Sequence, residues 1–335
     1  MYEEFFGLSR RPFAMSADPQ FLYLTAQHRE AATGLIYSIL KHKGMVTVTG
    51  EPGTGKTTVL KAVLSSISGT SVKVAYVAVP TLSAAELLEF VLLQYGLLDL
   101  AHANKAERLL MFERFLLGAY GKNKTVVLIV DEAHKLTREN LEEIRLLTNF
   151  ETGQGKLIQV VLAGQSELDD MLRREEMGQI KQRVSYRFSL KGLSEEEVAG
   201  YVAHRWSRAG GDSTLPFDQE ALRNVAIYSQ GIPRLVNAIC DNALVMAFGE
   251  GLRDVGRDTV LAAARDLDLL ENEPRDMLSR DNGAAGLKDL ELLVAASSLA
   301  DNRTAPALDR QTAPRKESWL LRSARKLLAA TAAGD

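Results

Sequence analysis

Residues 44–60 read GMVTVTGEPGTGKTTVL, and no other stretch restricts the fold as much. Met45 to Thr49 is short, apolar and rich in Val and Thr, the pattern of a strand buried in a parallel sheet. Gly50 and Gly53 break it, after which Lys56, Thr57, Thr58, Val59, Leu60 and Ala62 suit the opening of a helix. A strand that turns at glycines straight into a helix leaves several backbone N–H groups without intrahelical partners, all at the positive end of the helix dipole. Such a corner is predicted to hold an anion.

The rest of the chain supplies a sheet for that strand. Val72 to Val79, Thr125 to Val130 and Leu157 to Leu162 are predicted strands, and Tyr186 to Leu190 is a candidate fifth. Helical spacing separates them, over His28 to Lys41, Ala84 to Tyr95, Lys105 to Tyr120 and through Leu141, Ile144, Leu147 and Phe150. Alternation at these lengths implies an α/β chain, a parallel sheet with helices on both faces. Beyond Leu193 the apolar residues recur only at helical spacing, through Val198, Tyr201, Val202, Leu222, Val225, Leu235, Ile239 and Leu244. The expected division is an α/β domain over 1–192, a small helical domain over 193–270, and a remainder, 271–335. In that remainder Glu271 to Glu317 is loop-like and reads as linker, with Leu287 to Leu299 a candidate helix. The final SWLLRSARKLLAATAA sets Trp319, Leu320, Ala324, Leu327 and Leu328 near one face and Arg322, Arg325 and Lys326 opposite. Such a basic tail suits docking on a partner or an anionic membrane surface, or packing against its own domain.

Bulk properties exclude several classes. The chain has 335 residues, 46% hydrophobic and 25% charged, as in a globular protein of one or two cores. A formal net charge of −3 gives no whole-molecule footprint for nucleic acid, although a local basic face fits within a balanced total. The single cysteine, Cys240, excludes an internal disulfide and a CxxC zinc site and suits a reducing compartment. The opening MYEEFFGLSRRPF is acidic and aromatic, unlike a secretory leader. No apolar run reaches the roughly 18 to 20 residues of a membrane span, so the expected location is cytoplasmic, with peripheral contact at the inner membrane face open to the tail.

The corner carries specific chemistry. Gly50, Glu51, Pro52, Gly53, Thr54, Gly55, Lys56 and Thr57 fit GxxxxGK[ST], a loop whose backbone N–H groups cradle phosphates. In that motif the lysine reaches the β and γ phosphates and the hydroxyl, here Thr57, ligates magnesium. A second acid is then expected at the carboxyl end of a neighbouring parallel strand. Asp131 stands there, followed by Glu132, whose carboxylate is placed to polarise a water. An Asp-Glu pair alone after a strand is more often a solvated turn; beside a phosphate loop it reads as function. Arg183, in GQIKQRVSYRFSL, and Arg234, in Gly231-Ile232-Pro233-Arg234, are candidates for neutralising charge on the γ-phosphate. Pro233 suits a first helical turn and fixes the direction in which Arg234 leaves it.

With these residues in place the sequence resembles the AAA+ ATPases, through the phosphate loop, VLIVDEAH, Arg183 before a fifth strand and the Gly-Ile-Pro-Arg of a helical lid. More narrowly, MYEEFFGLSRRPF, DPQFLYLTAQHREA, TGEPGTGKTT, VDEAHKL and VLAGQSEL over residues 1–270 resemble the general secretion pathway protein A (ExeA-type) branch. That branch is similar to transposition regulators of the MuB, TnsC and TniB kind. The resemblance implies a P-loop NTPase fold, a five-stranded parallel sheet followed by a helical lid, with ATP and Mg²⁺ as cofactors. It implies Lys56, Thr57 and the adjoining Thr58 for Walker A, Asp131 and Glu132 for Walker B, and Gln165 as the polar sensor after the fourth strand. It also implies Arg183 as an arginine finger, Arg234 as second sensor, and Tyr23 to His28 lining the adenine. A strand-end glutamine also suits a helix cap, so Gln165 has that simpler reading. Secretion-type members often continue into a membrane span and a peptidoglycan-binding domain, which this sequence does not show. The implied function is an oligomeric, magnesium-dependent ATPase serving a secretion or envelope machine, with itself and envelope proteins as partners. The alternatives are an ATP-gated regulator that recruits protein or DNA, and, third, a phosphate-loop kinase.

Overall fold

The computed structural model describes residues 1–15, 19–67, 71–78, 81–97 and 104–270; the predicted linker, helix and basic tail over 271–335 lie outside them. In chain order the elements are α1 (Tyr2–Phe5), α2 (Ala26–Leu40), β1 (Met45–Gly50), α3 (Lys56–Ile67), β2 (Val72–Val77), α4 (Ala84–Gln94), α5 (Lys105–Tyr120), β3 (Thr125–Val130) and α6 (Arg138–Leu147). There follow β4 (Glu151–Thr152), β5 (Gly155–Lys156), β6 (Ile158–Gly164), α7 (Ser166–Arg173), α8 (Gly178–Lys181), β7 (Val184–Leu190), α9 (Glu195–Arg208), α10 (Gln219–Ser229), α11 (Pro233–Gly249) and α12 (Arg257–Asp266).

The main sheet is parallel and five-stranded, in the order β2-β3-β6-β1-β7. Its inner strands β1, β3 and β6 are buried along their whole length, which is why their sequences read as unbroken apolar runs. Pleating sorts their side chains by alternation: Val126, Leu128 and Val130 face one core with Leu87, Phe112 and Ile144, while Val127 and Ile129 face the other with Leu35, Ile36 and Val63. The helices α4, α5, α6, α7 and α8 therefore cover one face, and α2 and α3 the other. Each large apolar side chain so buried stabilises the fold by roughly 1.5–3 kcal/mol.

Helix starts follow the local chemistry. Ser83, Asn104, Thr137 and Ser194 each cap a helix with a reciprocal bond to the residue three positions on. The predicted strand Val72 to Val79 ends at Val77, Val79 lying outside the described residues, and the predicted fifth strand begins earlier, at Val184. The short antiparallel pair β4 and β5 has no counterpart in the sequence expectations.

A third core gathers α9, α10, α11 and α12. Tyr2, Phe6, Leu8, Phe13 and Phe21 belong to it, so the N-terminal segment packs into the helical core and not onto the sheet. Arg205 of α9 holds that segment: its Nε donates to the Pro12 carbonyl at 2.6 Å and its Nη2 to the Ala14 carbonyl at 3.1 Å. Residues 1–269 form one compact unit, and no described helix is long and apolar enough to cross a membrane.

Candidate active site

The sheet order decides where the chemistry meets. Because β6 lies between β1 and β3, the residues that follow these strands, Glu51 after β1, Asp131 after β3 and Gln165 after β6, leave adjacent carboxyl ends. Open parallel sheets bind ligands along that edge.

After β1 the chain passes through Gly50, Gly53 and Gly55, all with positive φ, and enters α3 at Lys56. Gly53 shows why no side chain is tolerated: a Cβ there would lie 2.7 Å from Arg234 Cβ and 3.1 Å from Ile232 Cγ2. The start of α11 thus sits directly over the loop. Lys56 is 6% exposed, and its Nζ donates to the carbonyls of Gly50 at 2.7 Å and Glu51 at 3.0 Å. Burial lowers its pKa, against the opposing pull of Glu132, Asp131 and Glu51. Thr54 is buried, its hydroxyl donating to the Glu51 carbonyl at 2.8 Å, and the Glu51 carboxylate accepts a bond from the Ser166 hydroxyl.

Asp131 is 5% exposed and accepts on one oxygen, Oδ2, from the Thr57 hydroxyl at 2.9 Å and the Tyr76 hydroxyl at 2.8 Å. Its Oδ1 accepts the backbone N–H of Glu132 at 3.0 Å. The Tyr76 phenol is pushed up by burial and then by this bond to the carboxylate. Glu132 occupies the left-handed region at φ 53° and ψ 34°, uncommon for a residue with a side chain and most frequent at working sites. Its Oε2 lies 3.6 Å from His134 Nε2 and 3.7 Å from Lys135 Nζ.

Pro52, Gly53, Gly55, Lys56, Thr57, Thr58, Glu132, Gln165 and Arg234 line one cleft, together with Met15, Tyr201, Arg205, Pro233 and Asn237. Gln165 occupies the N-cap position of α7 but makes no side-chain cap bond. A second cavity adjoins it, bounded by Phe21, Tyr23, His28, Thr54, Gly55, Thr58 and Tyr201. His28 is buried, with Nε2 3.0 Å from the Thr54 carbonyl and Nδ1 2.7 Å from the Thr25 hydroxyl. A carbonyl only accepts, so Nε2 carries the proton, and the ring braces the loop from behind.

Arg183 stays outside this assembly. Its Nη2 donates to Asn149 Oδ1 at 2.9 Å, immediately before β7 begins at Val184. A strand of that length puts it roughly 20 Å from the edge where the loop lies, so it cannot serve the cleft of its own chain.

These parts match a known domain. Residues 39–172 fit the family model described as AAA domain. Over those residues the chain is similar to AAA+ domains. AAA+ proteins are P-loop ATPases, and the parallel sheet, the phosphate loop and the helical region after it have that architecture. The chain is 39% identical over 276 residues to general secretion pathway protein A of Aeromonas hydrophila, a match covering 82% of this chain and 50% of that protein. It thus spans about half the length of that relative. Among solved structures it resembles the ORC2 protein of Aeropyrum pernix in complexes with ADPNP and ADP, with TM-score 0.57, 19% identity and coverage of 77% of this chain and 72% of that one. Cdc6p of Pyrobaculum aerophilum gives TM-score 0.59 at 16% identity, covering 78% and 74%. At such identities these likenesses concern the fold.

The sequence signals did not point to Tyr76, Arg205 or His134. Tyr76 pairs in register with Ile129, one step before the strand ends, so a hydroxyl-bearing residue near the end of a strand was its signal. Arg205 follows Val198, Tyr201 and Val202 at helical spacing, a basic residue on the apolar face of α9.

Proposed function

We propose that the chain binds and hydrolyses ATP with magnesium in the cleft between the phosphate loop and the helices of 193–270, which act as a lid on the α/β domain of 1–192. The observation that carries this reading is the Thr57 hydroxyl set 2.9 Å from Asp131 at the mouth of a glycine cradle. Among the described residues no group of three or more His, Cys, Asp or Glu is placed to hold a metal. A cation held by Thr57 and Asp131, with water and phosphate oxygens, is the arrangement that suits magnesium. When bound, magnesium neutralises charge on the β and γ phosphates.

The chain's own groups divide the remaining work. Lys56 exchanges the loop carbonyls for phosphate oxygens, and Arg234 reaches the same phosphates from the lid. Glu132 orients the attacking water, a role worth roughly 10² to 10⁴ in rate, with Gln165 beside it. Tyr23 and His28 stand on the adenine side, where the second cavity is lined by aromatic rings. Arg183 completes the site of a neighbouring copy, because it lies too far from its own, and the active form is therefore a homo-oligomer. Similarity to general secretion pathway protein A supports a role in a secretion or envelope machine and envelope proteins as partners. Dependence on ATP and a lone buried thiol, Cys240, fit a cytoplasmic site of action.

Steady-state hydrolysis by the purified chain tests the assignment. Glu132→Gln is expected to abolish turnover while ATP binding persists, and Lys56→Ala to abolish the binding heat. Unchanged hydrolysis by Glu132→Gln removes that residue from its role, and ATP heat that survives Lys56→Ala removes the site.

A further inference from the structure

His134 links the loop after β3 to the loop after β6. The backbone N–H of Gln165, just past β6, donates to His134 Nδ1 at 3.3 Å. That bond leaves the lone pair on Nδ1 and places the ring hydrogen of the neutral imidazole on Nε2. Nε2 is the atom that faces Glu132 Oε2, at 3.6 Å, with the histidine side chain 12% exposed. The contact is longer than a full hydrogen bond and within ion-pair reach. Gly164 permits the approach, since a Cβ there would stand 3.0 Å from the His134 backbone nitrogen.

We propose that His134 is a positioning residue for Glu132, set by the backbone at Gln165. The proposal rests on the ATPase reading and adds to it a link between the polar residue after β6 and the carboxylate after β3. Glu132 is fixed at its backbone by Asp131, but its side chain is partly exposed and has His134 and Lys135 within 4 Å, while Lys56, which also attracts it, is held on the Gly50 and Glu51 carbonyls. Lys135 is 53% exposed, and water screens it. The less exposed imidazole therefore sets the direction of the carboxylate. A displacement of Gln165 toward or away from the cleft moves the ring and, through it, Glu132. Misplacement of a reacting group by about 1 Å costs on the order of 10² in rate.

Single-turnover ATP hydrolysis and ATP calorimetry on the full chain test the link. His134→Ala is expected to slow turnover roughly 10- to 100-fold with ATP affinity within about twofold of wild type. His134→Gln, which restores an amide donor toward Glu132, recovers part of the rate. Lys135→Gln alone leaves the rate within about twofold. An unchanged rate in His134→Ala, or a loss that follows weakened ATP binding, overturns the proposal. Nitrogen NMR of the labelled histidines gives a readout independent of turnover and of the fate of the variants. The neutral His134 ring is expected as the Nε2–H tautomer, and an Nδ1–H tautomer overturns the proposal. A wild-type chain that shows no hydrolysis refutes the ATPase reading instead, and the tautomer still decides the geometry at His134.

Discussion

Substituting alanine at Gly53 separates two costs that the structure keeps distinct. Gly53 has φ +86°, and a Cβ there would stand 2.7 Å from Arg234 Cβ and 3.1 Å from Ile232 Cγ2. Left-handed backbone costs an alanine about 1–2 kcal/mol. Relieving the contact requires the start of α11 to retreat by about 0.7 Å to reach ordinary separation, and overpacking of this kind adds about 1–3 kcal/mol. Gly7→Ala is the matched control, with φ +71° and nothing within 4 Å of the added carbon, so it carries the first cost alone. At about 2–4 °C per kcal/mol, Gly53→Ala is expected to melt several degrees below wild type and below Gly7→Ala. The retreat carries Arg234 away from the loop, so ATP affinity falls about tenfold or more, whereas Gly7→Ala binds ATP as wild type does; a charge-assisted bond of about 1.5–3 kcal/mol is at stake. Melting curves and calorimetry of the two variants decide the matter. Equal melting and equal ATP affinity in both would show that the lid does not rest on the loop, and the reasoning would fail.

Arg205→Met removes the donors that hold the Pro12 and Ala14 carbonyls and leaves a cost of roughly 1–3 kcal/mol for each buried carbonyl without a partner. Limited trypsin digestion is expected to cut after Arg10 sooner than in wild type, the bond after Arg11 being protected by Pro12, and unchanged protection would show that the segment is held by its aromatic residues alone. His28→Ala withdraws the brace from the Thr54 carbonyl, and ATP affinity should fall while the melting temperature drops by only a few degrees, at about 2–4 °C per kcal/mol; unaltered affinity would reduce His28 to a packing role. Arg183→Ala should bind ATP normally but lose hydrolysis, and mixing it with Glu132→Gln should restore activity, because each variant supplies what the other lacks across an interface. Failure of the mixture to exceed either variant alone would refute action between copies.

The strands flanking the cleft were legible because both faces of each are buried: TVVLIV cannot alternate with polar residues when one pleat meets Phe112 and the other meets Leu35. The edge strand was less so, since Ser185, Tyr186 and Arg187 are exposed and the apolar pattern starts late. The pair β4 and β5 has two-residue strands, too short for any period to register. The residues of the loop were readable from chemistry at fixed spacing, but their meeting with Asp131 was not. Thr57 and Asp131 stand 74 positions apart, and only the insertion of β6 between β1 and β3 brings all three strand ends to one edge. The same limit hid the N-terminal segment, whose aromatic residues announce burial but not against what. Their partners are α9 and α11, through Phe6 against Trp206, Phe5 against Phe248 and the Tyr2 hydroxyl donating to Asp241, with Ser9 bonded to the Ala209 carbonyl across 200 positions. Met15 of that segment lines the cleft beside Arg205. The cleft is therefore walled by the N-terminal segment as well as by α9 and α11, and the proposed lid movement toward the loop would draw the segment with it. Arg205 joins the two, since one guanidinium bonds the segment and, through Nη1 at 3.0 Å, the Tyr201 hydroxyl that faces Asn237 on α11.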